Sequence, residues 1–335
     1  MEDGLLGNYF QALTAMIISY SIVFFVLLLV CVVYLKLAIR FEIVDRPNHR
    51  SSHSVVTVRG GGIIFPISVL MWWLMNGFSN SWMVLGLILI AAVSMMDDMF
   101  TLSRKLRFGI QFVALSLAFW DLGVFGQKPF WALPILYFIA LGIINAINFM
   151  DGINGITGLY FLTFFGSLLA VNVYLPIFDS ALIQYVILSL LVFLIFNLRK
   201  KALMFAGDIG SISLAYLVIY FLARWYLEVG NWTIVLSLLV YGADSFLTLG
   251  QRLIRGENIT QPHRLHLYQL FVNQLKKEHV LVALIFALLQ FALNFVLFIY
   301  PQAYPSDLWA LTILVLTAVI YLLIKIPIQN RFKLT

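Results

Sequence analysis

Long apolar runs separated by short polar segments repeat from one end of this chain to the other. Eleven of them, at residues 15–38, 63–76, 82–96, 108–120, 131–147, 158–174, 182–197, 210–222, 232–249, 280–300 and 308–324, predict helices that cross a hydrocarbon layer about 30 Å thick. The second run is short, and Pro66 interrupts it. Neither an internal repeat nor a linker divides the pattern, so residues 1–335 are expected to form a single polytopic membrane domain. Composition agrees, since 62% hydrophobic residues, 11% charged residues and a mean hydropathy of +0.98 exclude a soluble globular domain. The fold class expected is an all-α integral membrane protein, a polytopic bundle of about 11 transmembrane helices. The run from Ala15 to Leu37 is too long for the apolar part of a signal peptide and no small-residue cleavage site follows it, so it is expected to persist as a helix. Cys31, the only cysteine, lies inside that run and excludes an intramolecular disulfide.

Basic residues orient the bundle, because loops rich in Lys and Arg stay on the cytoplasmic side. With eleven spans, 19 of the 21 basic residues fall on one side, and only Lys128 and Arg224 on the other. The N-terminus is therefore expected outside and the C-terminus in the cytoplasm, in a multi-pass protein of the cell inner (cytoplasmic) membrane. The net charge of +6 becomes a property of the cytoplasmic surface, suited to anionic headgroups or a phosphorylated substrate. No nucleic acid is expected as a partner.

The polar residues inside the apolar pattern carry the chemistry. Asn145, Asn148, Asp151 and Asn154 recur at three-residue steps in "NAINFMDGING" (145–155), where a helix would align them as a drifting stripe and Gly152 and Gly155 would loosen the backbone. Such a stripe reads as a cavity wall rather than as hydrogen-bonding glue between helices. At the same level Asp97 and Asp98 end the third run, Asp208 opens the eighth in "FAGDIGS", and Asp244 lies late in the ninth. His263, Arg264 and His266 follow in "QPHRLHLYQ". Five carboxylates from four segments are thus expected to converge on one face. Plainer readings stand beside these. Asp208 would serve as a helix N-cap, the Asp97–Asp98 pair as a solvated helix end, and "RGGG" (59–62) as a flexible turn instead of a phosphate cradle. His49, His53 and His279 would be interfacial residues, and the His-Arg-x-His loop a basic contact to anionic lipid.

Carboxylate and amide oxygens with few histidines nearby suit hard Mg²⁺ better than zinc, with Mn²⁺ as a substitute, and Mg²⁺ is usually bound together with substrate phosphates. Arg and Lys neutralise phosphate oxygens, and phosphoryl transfer depends mostly on positioning and charge stabilisation. An apolar bundle adds grooves for a lipid chain. The combination points to phosphoryl transfer from a soluble cytoplasmic donor to a lipid acceptor. The alternative is a transporter or flippase of a lipid-linked or phosphorylated compound, which would place its polar groups nearer the bilayer midplane.

In order along the chain, "DRPNHRSSHSVVTVRGGG" (45–62), "DDMFTLSRKL" (97–106), "NAINFMDGINGITG" (145–158), "GDIGS" (207–211) and "HRLHLYQ" (263–269) resemble the motifs of the polyprenyl-phosphate N-acetylhexosamine-1-phosphate transferase superfamily, of glycosyltransferase family 4 type. Three departures inform the subclass. Asn154 stands where many relatives have Asp, "HRLH" replaces consecutive histidines, and "VTVRGGG" lacks a proline between Thr57 and Arg59. The His-Arg-x-His-x-Tyr form resembles the branch that initiates O-antigen or capsule chains. This resemblance implies a Mg²⁺-dependent phosphoglycosyl transferase that moves a sugar-1-phosphate from a UDP-N-acetylhexosamine to undecaprenyl phosphate, releasing UMP, in lipopolysaccharide or other cell-envelope synthesis. It implies Asp208 as the principal Mg²⁺ ligand with Asn148 as a second metal or pyrophosphate ligand, Asn154 facing the uracil, and Asp97 deprotonating or positioning the lipid phosphate with Asp98 in support. It further implies that His263, Arg264 and His266 hold the diphosphate, that Lys105 and Arg59 add cationic contacts, and that Asp151 shapes the cavity or supports the metal. A homodimer is admitted as an assembly.

Overall fold

The computed structural model describes residues 2–46, 55–258, 261 and 263–334, so His49 and His53 lie outside the described residues. Thirteen α-helical segments follow one another: α1 Glu2–Arg40, α2 Ile64–Met75, α3 Ser81–Phe100, α4 Arg104–Asp121, α5 Val124–Gln127, α6 Leu133–Met150, α7 Ile156–Tyr174, α8 Ser180–Asn197, α9 Gly207–Val229, α10 Leu239–Ile254, α11 Leu267–Gln269, α12 His279–Asn294 and α13 Asp307–Arg331. Apart from the two short segments α5 and α11, each helix coincides with one of the eleven apolar runs. Among the described residues, nine helical stretches are long and apolar enough to cross a membrane. The other two fall short for visible reasons: α2 has only 12 residues, and α4 opens on Arg104, Lys105 and Arg107.

Helix α9 is the axis of the bundle. Between Asp208 and Arg224 its only polar side chains are two serines and two tyrosines, and from Ile209 to Leu222 every residue is buried, as expected of a helix with no face for solvent or lipid. Helices α3, α6, α2 and α4 pack around it. At the periphery, α6 and α13 bury only 17% of their apolar window against 67% for α9, leaving large hydrophobic side chains such as Phe138 and Leu323 outward, where lipid would cover them.

The start of α9 is fixed by close backbone packing. Strands β1 (Val44–Asp45) and β2 (Thr57–Val58) pair antiparallel, Val58 also bridges Met204, and the chain then runs past the first turn of α9. The amides of Gly61 and Gly62 donate to the carbonyls of Phe205 (2.8 Å) and Ala206 (3.0 Å). The "RGGG" segment is therefore neither a loose turn nor an open phosphate cradle, because these N–H groups are spent on the chain that leads into α9. A Cβ on Gly62 would lie 2.2 Å from the Cα of Gly210, so only glycine permits this approach.

Gly62→Ala is therefore expected to lower stability by about 2 kcal/mol, the usual scale of overpacking. The control Gly250→Ala, in α10 where an added Cβ meets nothing within 4 Å, should be neutral or slightly stabilising. Thermal midpoints of both variants in detergent check the contrast.

Candidate active site

Five charged side chains meet at the N-terminal end of α9. Asp98, near the end of α3, has a fully buried side chain whose Oδ1 lies 2.7 Å from Arg59 Nε. The same carboxylate accepts from the amides of Asp208 (3.1 Å) and Ile209 (3.2 Å). These amides belong to the first turn of α9, whose donors have no partner within the helix, so Asp98 caps α9 from another helix. Asp208 is thus not the N-cap. The cap position is Ala206, which offers no side-chain bond, and Asp208 lies inside the first turn with its carboxylate directed elsewhere. Gly207, at φ 72°, makes the turn possible, and a Cβ there would sit 2.5 Å from Asp98 Oδ2.

Asp97 has a different task from its neighbour. It accepts from the Leu102 amide (2.6 Å) and from Arg107, which lies on the first turns of α4. Both cations of the cluster then approach Asp208: Arg59 Nη2 lies 3.8 Å from its Oδ1 and Arg107 Nη1 3.7 Å from its Oδ2. Each guanidinium is anchored by one aspartate and shared with a second. Lys105, expected as the cationic contact of this segment, is exposed, and Arg107 reaches inward in its place.

The expected stripe of Asn and Asp divides where α6 ends. Asn145 faces outward and bonds its own helix, donating to the Leu141 carbonyl (2.7 Å). Asn148 Oδ1 accepts from Ser211 of α9 (2.7 Å), one turn beyond Asp208. Asp151, at the C-cap of α6, accepts from Thr157 (2.6 Å). Burial pushes its carboxyl up to about 6, with the Thr157 bond opposing and the Asp98 charge assisting. Asn154 is buried beyond the helix end and donates through Nδ2 to the carbonyls of Arg199 (2.8 Å) and Lys200 (3.3 Å). It borders a cavity of about 610 Å³ that is also lined by Phe205, Lys200, Lys201, Arg264, Lys276, Lys277 and His279. His279 accepts from the Asn154 amide at 3.4 Å, which ties the start of α12 to this wall. His279 is thus part of the site's surroundings and not only an interfacial residue.

The His-Arg-x-His loop is held by Asp244, which does not join the other carboxylates. Asp244 is fully buried in α10 and accepts from the amides of Leu267 (2.9 Å) and Tyr268 (3.3 Å), capping α11. His266 Nδ1 lies 3.3 Å from Asp244 Oδ1. The expectation of five carboxylates converging is therefore corrected to two groups. Tyr268 connects them: its hydroxyl donates to the Phe149 carbonyl (2.8 Å), at the end of α6. His263 packs its ring 4.9 Å from that of His266, and burial, with the neighbouring His266 and Arg252 adding to it, lowers it to about 4. It is neutral near pH 7, so cationic contact with a phosphate falls to Arg264.

Among the described residues no three His, Cys, Asp or Glu side chains gather to hold a metal ion by themselves. Asp208 nevertheless keeps both oxygens beyond hydrogen-bond reach of its guanidiniums. A hard cation is ordinarily held by one or two carboxylates plus substrate phosphates, so this donor set fits Mg²⁺ shared with a phosphate and not an all-protein cage. The residues that the sequence did not single out for the site are Arg107, Ser211, Thr157, Tyr268 and the cavity lysines. Ser211, Thr157 and Tyr268 lie within the quoted motifs without a role of their own, and Arg107 stands in the basic run Arg104, Lys105 and Arg107 that follows the Asp97–Asp98 pair.

Comparison with known proteins fits this geometry. The sequence profile of glycosyl transferase family 4 matches residues 81–225. A probable undecaprenyl-phosphate N-acetylglucosaminyl 1-phosphate transferase of Bacillus subtilis (strain 168) is 27% identical over 280 residues, covering 77% of each chain. Undecaprenyl-phosphate alpha-N-acetylglucosaminyl 1-phosphate transferases of Escherichia coli O157:H7 and Salmonella typhi are 26% and 27% identical, the first covering 89% of this chain and 87% of its own, the second 71% of each.

Two consequences can be measured. Asp98→Asn leaves Arg59 without its buried partner and weakens the cap of α9, so it should lower stability by about 3 kcal/mol. Asp208→Asn removes a carboxylate that repels Asp98 and Asp97 and should leave the thermal midpoint unchanged or raised. The second consequence concerns pH. Between about 4 and 6.5 the unfolded chain binds the His263 proton that the native state excludes, so this group stabilises above that window and the contribution is lost as pH falls through it. Asp151 acts with the opposite sign, since its raised value means that the native state holds the proton up to about 6 and stability falls as pH rises toward 6. Denaturation midpoints from pH 4 to 7 should fall less steeply toward acid in His263→Gln than in the parent, and more steeply in Asp151→Asn.

Proposed function

Because the chain belongs to the polyprenyl-phosphate N-acetylhexosamine-1-phosphate transferase superfamily, we propose that it transfers an N-acetylhexosamine-1-phosphate from a UDP-sugar to undecaprenyl phosphate at the cytoplasmic membrane face. The products are undecaprenyl-diphospho-sugar and UMP, and the reaction starts an O-antigen or another surface polysaccharide. The observation that carries this reading is Asp208 set between two guanidiniums, each pinned by a second aspartate. Such a cluster is organised before any substrate arrives, which is what charge stabilisation in a phosphoryl transfer requires.

In this reading Arg59 and Arg107 present their remaining N–H donors to phosphate oxygens in fixed directions. Asp97 and Asp98 act as positioning residues, since their oxygens are engaged by Arg107, Arg59 and backbone amides. Asp208 and Asn148 would hold Mg²⁺ together with the donor diphosphate. When bound, the cation supplies neutralisation of charge on the diphosphate and its leaving group. The donor's nucleotide occupies the basic cavity, with the Asn154 amide at the uracil and Arg264 and the lysines at the diphosphate. Lys105, exposed where α4 begins, meets the lipid phosphate. The eleven helices all span the bilayer with the N-terminus outside, which sets this end of α9 at the cytoplasmic surface, in keeping with the distribution of basic residues.

Purified protein given undecaprenyl phosphate, Mg²⁺ and a panel of UDP-N-acetylhexosamines should release UMP with at least one donor. Asp208→Asn should lower kcat by about 100-fold while the fold persists, a loss typical of removing one transition-state contact. Inside-out membrane vesicles should consume added UDP-sugar and right-side-out vesicles should not. Absence of UMP with every donor, combined with movement of a lipid-linked compound across proteoliposomes, would replace the transferase by a flippase.

A further inference from the structure

Helix α13 is mostly exposed to the surrounding lipid, yet one line of its residues is polar and buried: Tyr321, Lys325 and Gln329, at four-residue steps. They face a matching line on α10. Lys325 Nζ, fully buried, donates to Thr248 (2.6 Å) and to the Tyr321 hydroxyl (3.0 Å). Tyr321 donates to Asp244 Oδ1 (2.6 Å), Thr248 lies 3.3 Å from the same oxygen, and Gln251 and Gln329 exchange amide bonds at 2.7 and 3.2 Å. Lys325 is one of the basic residues counted above toward the cytoplasmic tail, but it lies inside the helix. A lysine buried in a membrane helix is costly, and it persists where it has a partner and a task.

The far end of this seam is His266. An ionised Asp244 only accepts hydrogen bonds, so the imidazole nitrogen facing it, Nδ1, must carry a proton. That fixes which nitrogen is presented on the other side. Nε2 is buried and, among the described residues, meets no hydrogen-bond partner. We propose that Lys325, through Tyr321 and Thr248, keeps Asp244 ionised and oriented, so that His266 presents Nε2 in a single protonation pattern to the substrate phosphate. Lys325, Tyr321, Thr248 and Asp244 are positioning residues, and they make the last membrane helix part of the active centre although it lies outside the region matched by the family profile. The inference rests on the transferase reading only for the identity of the phosphate that Nε2 meets.

The test combines kinetics with a spectroscopic readout. In protein labelled with ¹⁵N-histidine, the His266 ring nitrogens should show a protonated Nδ1 in the parent, and Lys325→Met should shift them toward a mixture of tautomers. With UDP-sugar and undecaprenyl phosphate, Lys325→Met should lower kcat at least 10-fold while both KM values change less than 3-fold. The double variant His266→Gln/Lys325→Met should be no slower than His266→Gln alone, because the two act through one group. Should Lys325→Met not fold, Tyr321→Phe removes only the hydroxyl between Lys325 and Asp244 and serves in its place. Unchanged ring shifts, or losses that multiply in the double variant, would overturn the proposal. If the parent releases no UMP, the transferase reading fails, and the ring shifts still decide whether the seam sets His266.

Discussion

One carboxylate organises the candidate site. Asp98 is buried, and burial of a charge is tolerable only when its oxygens are paired and hydrogen-bonded. It meets that demand with the Arg59 guanidinium and two amides of α9, so three parts of the chain are held by a single side chain: the end of α3, the strand and glycine segment before α2, and the first turn of α9. Everything else at this end depends on that junction. Asp208 is relieved of capping and becomes available for other partners. Arg59 is aimed, and the close approach of Gly62 to Gly210 holds the aim.

A second buried aspartate does comparable work for the His-Arg-x-His loop. Asp244 caps α11 as Asp98 caps α9, each from a different helix. In both places a membrane helix supplies the acceptor for a short run of amides that would otherwise go unpaired in an apolar environment. The two junctions are coupled by Tyr268, whose ring stacks near His266 while its hydroxyl bonds to the end of α6. A Cβ on Gly152 would lie 2.2 Å from that hydroxyl, which explains a glycine directly after Asp151.

Much of the fold was legible in the sequence because a bilayer leaves few choices: an apolar run of sufficient length is helical, and each of the eleven runs is. The site was legible as composition, in that Asp97, Asp98, Asp151 and Asp208 do draw together. Which carboxylate does what was not. Capping between helices separated by more than 100 residues leaves no local spacing to read, so the plainer reading of Asp208 was a cap and Asp98 stood as a supporting acid. Asp244 was grouped with the others by depth alone, and depth does not report lateral position in a bundle. Lys325 was hidden by a counting rule that treats a basic residue near a helix end as a loop residue.

The distance in sequence between Asp98 and the amides it caps also bears on how the protein comes into being. A ribosome delivers α3 to the membrane long before α9, and until α9 is inserted Asp98 and Arg59 have no helix terminus to hold. Asp244, His266 and Lys325 arrive later still. The nascent protein therefore carries its charged groups into the bilayer piecemeal and completes their arrangement only once α13 has followed α10 into it. A nascent chain that has inserted α3 but not α9 holds Asp98 without the amides that it caps in the folded protein.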